Sequence, residues 1–270
     1  MDDKGYIVTE DGELKFTDIV RINGVFVWDG DLDLRGSKIK KLPDNLTVDG
    51  NLYIGKTKIK ELPNNLTIGG GLYLSNSKIT KLPDNLTIAG DLDLYGSSIL
   101  KLPDNLAVDG YLDLHGSSIL ELPDNLTVVE WLDLSSTKIK KLPDSLAVGG
   151  NLYIDNSKIT ELLDNLTIGG ELYIEGCDIV NYPLVNNCGN VNRTIYLDLQ
   201  DKSLIAIGCF KGTKEEAINR INEKYSGNAA KEYITKVEQC YQIGVDMGHL
   251  PKWETKVVNK FKYILKVGKW

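Results

Sequence analysis

From residue 31 to residue 170 the chain repeats itself every twenty residues: DLDLRGSKIKKLPDNLTVDG is followed by NLYIGKTKIKELPNNLTIGG, GLYLSNSKITKLPDNLTIAG, DLDLYGSSILKLPDNLAVDG and three further close copies. Self-similarity at a short fixed period is the signature of a solenoid, in which each coil leaves its apolar side chains uncovered until a neighbour stacks on it. An eighth block, residues 171 to 190, is degenerate: Tyr182 replaces the leucine before the proline, and Asn186 replaces the next leucine. A terminal coil that changes character is expected of a cap.

Within each block the second and fourth positions are apolar, as in Leu92 and Leu94, with a polar or aromatic residue such as Asp93 between them. That alternation predicts a short half-buried strand. A small hydroxyl residue follows (Ser37, Thr57, Ser77, Ser97, Ser117, Thr137, Ser157), two positions before a constant isoleucine (Ile39, Ile59, Ile79, Ile99, Ile119, Ile139, Ile159). Its hydroxyl is placed to bond backbone groups where the strand ends. The segment Leu102, Pro103, Asn105, Leu106 recurs in the other blocks; proline there bends the chain into an extended return and leaves no room for a long helix. The block closes with an apolar residue such as Ile68 or Val108 and usually a glycine (Gly50, Gly70, Gly90, Gly110, Gly150, Gly170), which we expect to supply the positive torsion of a tight corner.

The run L-x-L-x-x-S/T-x-I-x-x-L-P-x-x-L, carried across residues 31 to 190, resembles bacterial leucine-rich repeats, particularly the short proline-containing subtype of effector proteins. The resemblance implies a mainly β solenoid with extended and turn-like returns. Two departures stand out. Ser or Thr occupies the place where that family forms an asparagine ladder, and a second apolar pair, such as Leu86 and Ile88, fits another strand. A regular β-solenoid is therefore the alternative architecture.

Residues 1 to 30 read as an N-terminal cap, because Phe26, Val27, Trp28, Asp29 and Gly30 match the end of a repeat. Residues 31 to 190 form the solenoid, and residues 191 to 270 a small α+β domain. In the latter, TIYLDLQDKSLIAIGCF (194 to 210) predicts a hairpin turning near Asp201, Lys202 and Ser203. Thr213 with Glu216 is a capping box, opening a helix with Ile218, Ile221 and Tyr225 on one side that ends near Gly227. A second helix is expected around Tyr233, Ile234, Val237 and Tyr241. The string IGCFKGTKEEAINRINEKYSG resembles a module that follows repeat arrays in proteins encoded by bacteriophages and their hosts.

Composition narrows the class. With 270 residues, 42% of them apolar and 26% charged, the chain can bury a sizeable core. No run approaches the ~18 apolar residues of a membrane span, and Met-Asp-Asp-Lys is no signal peptide, so a soluble, cytoplasmic protein is expected. Cys177, Cys188, Cys209 and Cys240 include no Cys-x-x-Cys pair, and His115 and His249 are the only histidines, so neither a disulfide framework nor a zinc site is indicated. Cys209 and Cys240 read as buried small apolar residues. Asn-x-Thr sequons begin at Asn45, Asn65, Asn85, Asn125, Asn165 and Asn192, five of them at one repeat position, so repetition explains them. The net charge of -7 is uneven: Lys252, Lys256, Lys260, Lys262, Lys266 and Lys269 make the last twenty residues basic against Glu254 alone. That tail, with Trp253, Phe261, Tyr263 and Trp270, suits nucleic acid, although Val257, Val258, Ile264 and Leu265 suggest that it packs.

Gly50, Asn51, Leu52, Tyr53, Ile54, Gly55, Lys56, Thr57 satisfies the G-x-x-x-x-G-K-T pattern of a phosphate-cradling loop. The context argues against that chemistry, since such a loop must lead from a strand into a helix, whereas Leu52 and Ile54 are repeat core positions and Pro63 follows.

The exposed strand positions carry more information, because they vary while the scaffold does not. The third position reads Asp33, Tyr53, Tyr73, Asp93, Asp113, Asp133, Tyr153, Tyr173; the first and fifth add Tyr95, Tyr111, His115 and Trp131. In register at about 5 Å, Asp93, Asp113 and Asp133 repel one another unless a cation or a basic partner lies over them. The aromatic-framed acid ladder, Tyr53 to Tyr173, is thus the candidate partner-binding face. It competes with two other readings: Tyr and Asp that merely solubilise a flat sheet, and a calcium site, for which no glycine-bracketed loop speaks. On another face Lys38, Lys58, Lys78, Lys138 and Lys158 form a column beside Lys41, Lys81, Lys101 and Lys141, read as a solvated edge or as a weak contact for phosphate or nucleic acid.

These readings converge on a non-enzymatic protein-binding scaffold. The phage resemblance points to a bacterial host defence protein as partner, with this chain as inhibitor in the host cytoplasm. The alternative is a nucleic-acid or nucleotide-binding protein using the lysine column and tail. An enzyme would need a pocket of convergent polar groups that the sequence does not indicate, and it gives no reason to expect a cofactor or metal. Two flat faces leave a homodimer open.

Overall fold

The computed structural model describes residues 6 to 250 except 17–19, 23, 85, 105, 164, 165, 189–192, 208 and 209. The basic tail, Cys209, Asn85, Asn105, Asn165 and Asn192 therefore lie outside the described residues. The chain divides into two compact units at Ile174/Glu175.

The first unit is a β-solenoid, the architecture that the second apolar pair of each block had left open. Leu92, Leu94, Ile99, Leu102, Leu106 and Val108 of one coil are all buried, and their counterparts twenty residues away extend six aliphatic columns through the stack. At about 1.5–3 kcal/mol per buried large aliphatic side chain, this interior dominates the stability of the unit.

One parallel sheet contains Leu32–Asp33, Leu52–Tyr53, Leu72–Tyr73, Leu92–Asp93, Leu112–Asp113, Leu132–Asp133, Leu152–Tyr153 and Leu172–Tyr173, each residue paired with the one twenty positions on. The second apolar pair forms its own parallel strands, in one sheet from Val25–Trp28 through Leu46–Val48 and Thr67–Ile68 to Thr87–Ile88, and in another from Ala107–Val108 to Thr167–Ile168. Val20–Ile22 pairs antiparallel with Val25–Trp28 at the sheet's edge. The recurring proline segment is a tight turn, closed by Leu106 N–H donating to the Pro103 carbonyl and by the same bond in neighbouring coils.

The corner torsions fall at a different place from the one the closing glycines suggested. Positive φ of 54 to 66° recurs at the sixth position of the block, on Gly36, Lys56, Asn76, Gly96, Gly116, Ser136 and Asn156. The closing glycines have no positive φ; what they provide is room. A Cβ on Gly50 would lie 2.3 Å from Asp31 Oδ1, and one on Gly150 would lie 2.9 Å from the Glu130 carbonyl oxygen of the coil before.

The hydroxyl position also divides. Thr57 and Thr137 donate to the carbonyls of Ile54 and Leu134, as anticipated. The buried Oγ atoms of Ser37, Ser77, Ser97 and Ser117 bond no protein group among the described residues. Threonine's β-methyl restricts χ1 and so holds its hydroxyl over the carbonyl; serine lacks that constraint.

The second unit holds an antiparallel sheet in the order Leu184–Cys188, Arg193–Leu197, Leu204–Ile207, Phe210–Thr213, followed by helices α1 (Lys214–Lys224) and α2 (Gly227–Asp246). The predicted hairpin turn is held by Asp198, which accepts from the Gln200 and Asp201 backbones, and by Asp201, which accepts from Ser203. The capping box is present: Thr213 Oγ1 accepts from Glu216 N–H, and the Glu216 carboxylate accepts from Thr213 N–H. Along α2, Ala230, Tyr233, Val237, Cys240, Tyr241, Gly244 and Val245 are buried at helical spacing. Gly244 allows close packing, since a Cβ there would lie 2.6 Å from Leu197 Cδ1. No helix among the described residues is long and apolar enough to cross a membrane.

Candidate binding face

Strand periodicity sends the second and fourth residues of each block inward and the first, third and fifth outward, so the eight-stranded sheet displays three columns of varying side chains. The first column begins with an Asx ladder. Asp31 accepts from the Asn51 backbone N–H, Asn51 from Gly71, Asp91 from Tyr111 and Asn151 from Glu171, each side chain tying its coil to the next. An amide and carboxylate ladder thus exists, displaced from the hydroxyl position to the strand's first residue.

The middle column brings Asp93, Asp113 and Asp133 into direct register. Each carboxylate accepts a backbone N–H two residues on, from Tyr95 (2.9 Å), His115 (2.8 Å) and Ser135 (2.7 Å), which sets its direction and supplies partial positive charge. Asp93 also accepts from Ser75 Oγ at 2.5 Å, and His115 Nδ1 lies 3.9 Å from Asp133. Asp113, in the centre, is pushed up to about 6, first by burial and then by its two carboxylate neighbours, against the opposing pull of the His115 N–H. Asp33, at the same repeat position, differs: Arg35 Nε and Nη2 clamp it at 3.0 and 2.6 Å.

Aromatic rings enclose the acids. Tyr53 stacks on Tyr73 at 4.5 Å, with the Arg35 guanidinium 4.8 Å from the Tyr53 ring centre. Tyr111 stacks on Trp131 at 4.1 Å along one flank, and Tyr95 stacks on His115 at 5.2 Å along the other. Trp131 meets Tyr153 edge-on, and Tyr153 stacks on Tyr173 at 4.5 Å. Tyr73 donates to Asp91 at 3.0 Å. Burial and the carboxylates of Asp91 and Asp93 raise Tyr111 to about 12, and burial and the Asp91 bond raise Tyr73 as well, so these two phenols stay neutral at physiological pH. Tyr53, Tyr73, Asp93, Asp113, Asp133, Tyr153 and Tyr173 therefore lie in the strands of this one sheet, and Tyr95, Tyr111, His115 and Trp131 flank those strands, two residues to either side of an aspartate. Ring faces and carboxylates both attract cations, and here they converge on one strip.

One feature of the same coils escapes a reading of the strand positions alone. Past the corner at Gly96 and Gly116, the lysine column is interrupted: Ser98 and Ser118 replace the eighth-position lysines, and Leu100 and Leu120 fill the tenth, where Lys40, Lys60 and Lys140 stand in other coils. Leu100 and Leu120 are 49% and 57% exposed, so two leucines in adjacent coils face solvent. The signal was available in the repeat itself, in an apolar residue at a position otherwise occupied by Lys or Thr.

The Gly50 to Thr57 segment contains the strand Leu52–Tyr53, then a left-handed corner at Lys56, with the Thr57 hydroxyl turned back to Ile54. Among the described residues no group of three or more His, Cys, Asp or Glu side chains is disposed to hold a metal ion. Cys177, Cys188 and Cys240 are buried, and burial raises Cys240 to about 12. Comparison with protein-family models, with curated proteins and with solved structures gave no match.

Proposed function

We propose that the chain is a non-enzymatic protein-binding scaffold whose acid and aromatic strip receives a basic segment of another protein. The observation that carries this reading is the in-register trio Asp93, Asp113 and Asp133, enclosed by stacked rings and, among the described residues, clamped by no arginine, unlike Asp33. Lysine or arginine side chains laid along the strip relieve the carboxylate repulsion and stack on the rings. Leu100 and Leu120, around the corner of the same two coils, extend the footprint with an apolar contact.

The resemblance of the C-terminal segment to phage-associated modules directs the search to bacterial defence proteins, with this chain acting in the host cytoplasm as an inhibitor that occupies a partner's surface. The test is affinity capture from bacterial lysate with the intact chain, with Asp93→Lys/Asp113→Lys/Tyr111→Ala, and with Leu100→Asp/Leu120→Asp. A protein retained by the intact chain and lost by the folded triple variant supports the strip as the working surface. Equal retention by all three moves the function elsewhere. A second reading, nucleic-acid binding, rests on the exposed lysines Lys38, Lys58, Lys78, Lys138 and Lys158, and predicts steep salt dependence that their replacement abolishes.

A further inference from the structure

In the second unit a shallow cleft, open to solvent, lies between the sheet and α1. Three cations line it: Arg193 from the strand Arg193–Leu197, and Arg220 and Lys224 from successive turns of α1. No carboxylate is among its lining residues, and none of the three cations forms an ion pair among the described residues.

Three rings line the same space. Tyr225 stacks on Tyr233 at 4.9 Å and 24°, the Arg220 guanidinium lies 5.8 Å from the Phe210 ring centre, and Lys224 Nζ lies 5.7 Å from that of Tyr225. Buried Ile207, Ala217 and Ile221 complete the wall. A basic residue in the last turn of a helix offsets the helix dipole, which accounts for Lys224. It does not account for Arg193, which sits on a strand, or for Arg220, one turn earlier. Like charges gathered without a counter-charge repel one another, and a bound anion removes that cost. Guanidinium forks match phosphate oxygens in pairs, and the rings offer flat apolar faces beside them.

We propose that this cleft binds a phosphate monoester that also bears a planar aromatic ring, the phosphate held by Arg193, Arg220 and Lys224 and the ring resting against Tyr225 and Phe210. Two sources share that chemistry, a nucleoside monophosphate and a phosphotyrosyl side chain. The site is separate from the strip on the solenoid and does not depend on it.

The experiment titrates the full chain calorimetrically with AMP, O-phosphotyrosine, adenosine, tyrosine and inorganic phosphate. At least one ring-bearing ester binds about tenfold tighter than phosphate and than its own unphosphorylated form, and the tighter of the two esters identifies the source. Arg220→Gln/Lys224→Gln, at exposed positions, keeps the melting temperature of the unliganded chain and loses about tenfold or more in affinity for that ester. Asp93→Lys/Asp113→Lys/Tyr111→Ala leaves it unchanged. The proposal is overturned if neither ester surpasses inorganic phosphate, or if the double glutamine variant binds as the intact chain does.

Discussion

The two central coils, residues 91 to 130, and the coils on either side of them share their buried positions and differ at their exposed ones. Leu92 and Leu112 are as fully buried as Leu52 and Leu152, and Ile99 and Ile119 as Ile59 and Ile159. Yet the aspartate pairing begins in these coils and reaches only one coil further, to Asp133, and they alone stack Tyr95 on His115 and expose Leu100 and Leu120. Selection for stacking acts on every coil alike, so it cannot produce a difference confined to adjacent coils on the solvent side. In a repeat the consensus describes the scaffold, and the departures from it describe the surface that the scaffold carries.

The interior half of that comparison makes the largest prediction. Leu52→Ala and Leu112→Ala, one flanking and one central, are each expected to cost about 3–4 kcal/mol in denaturant titration, because both remove a fully buried side chain from the same column. Costs differing by more than about 1 kcal/mol would show that the coils are not equivalent inside.

Next comes Asp113→Asn. In the unfolded chain this carboxyl titrates near 4, and in the fold it is raised to about 6. The native state therefore holds the proton more readily, so the group favours folding below about pH 4 and that contribution is lost as pH rises through 6. Replacing it with Asn is expected to stabilise the chain at pH 8 by about 1 kcal/mol, discounted for the partial exposure of the strip, and to have little effect at pH 4. Thermal melts at the two pH values decide it, and a gain equal at both would remove the titration from the account.

The smallest effect concerns the hydroxyl column. Thr137→Val, which deletes a bond to the Leu134 carbonyl, is expected to lose about 1 kcal/mol, whereas Ser117→Ala, which deletes a buried hydroxyl without a protein partner, is neutral or slightly stabilising. Loss of stability from both would mean that the serine is satisfied in solution.

Repetition made the solenoid legible: Leu92, Leu94 and Ile99 are buried because seven copies of the pattern say so, and the second strand announced itself in Leu86 and Ile88. The closing glycines were harder to interpret, since a glycine needed for left-handed torsion and one needed for close approach look alike in a sequence. Lys56 and Ser136, which take the left-handed corner without being glycine, concealed where the corner lay. The eleven strip residues could be named from their register, but the Arg35 clamp that sets Asp33 apart from Asp93 depends on side-chain geometry. In the second unit each residue occurs once. Local chemistry and periodicity were readable there, in the hairpin with its Asp201 turn, the Thr213 and Glu216 box and the helix through Tyr233, Val237 and Tyr241, whereas the convergence of Arg193 with Arg220 and Lys224 required the fold.

The central claim is that the unclamped aspartates of the middle coils, and not negative charge in general, make the binding strip. Isothermal titration of the full chain with a hexa-arginine peptide at physiological salt tests it, comparing the intact chain with Asp113→Asn and Asp33→Asn. The account predicts that Asp113→Asn weakens binding about fivefold or more while Asp33→Asn stays within about twofold. Equal loss from both, or none from either, would contradict it.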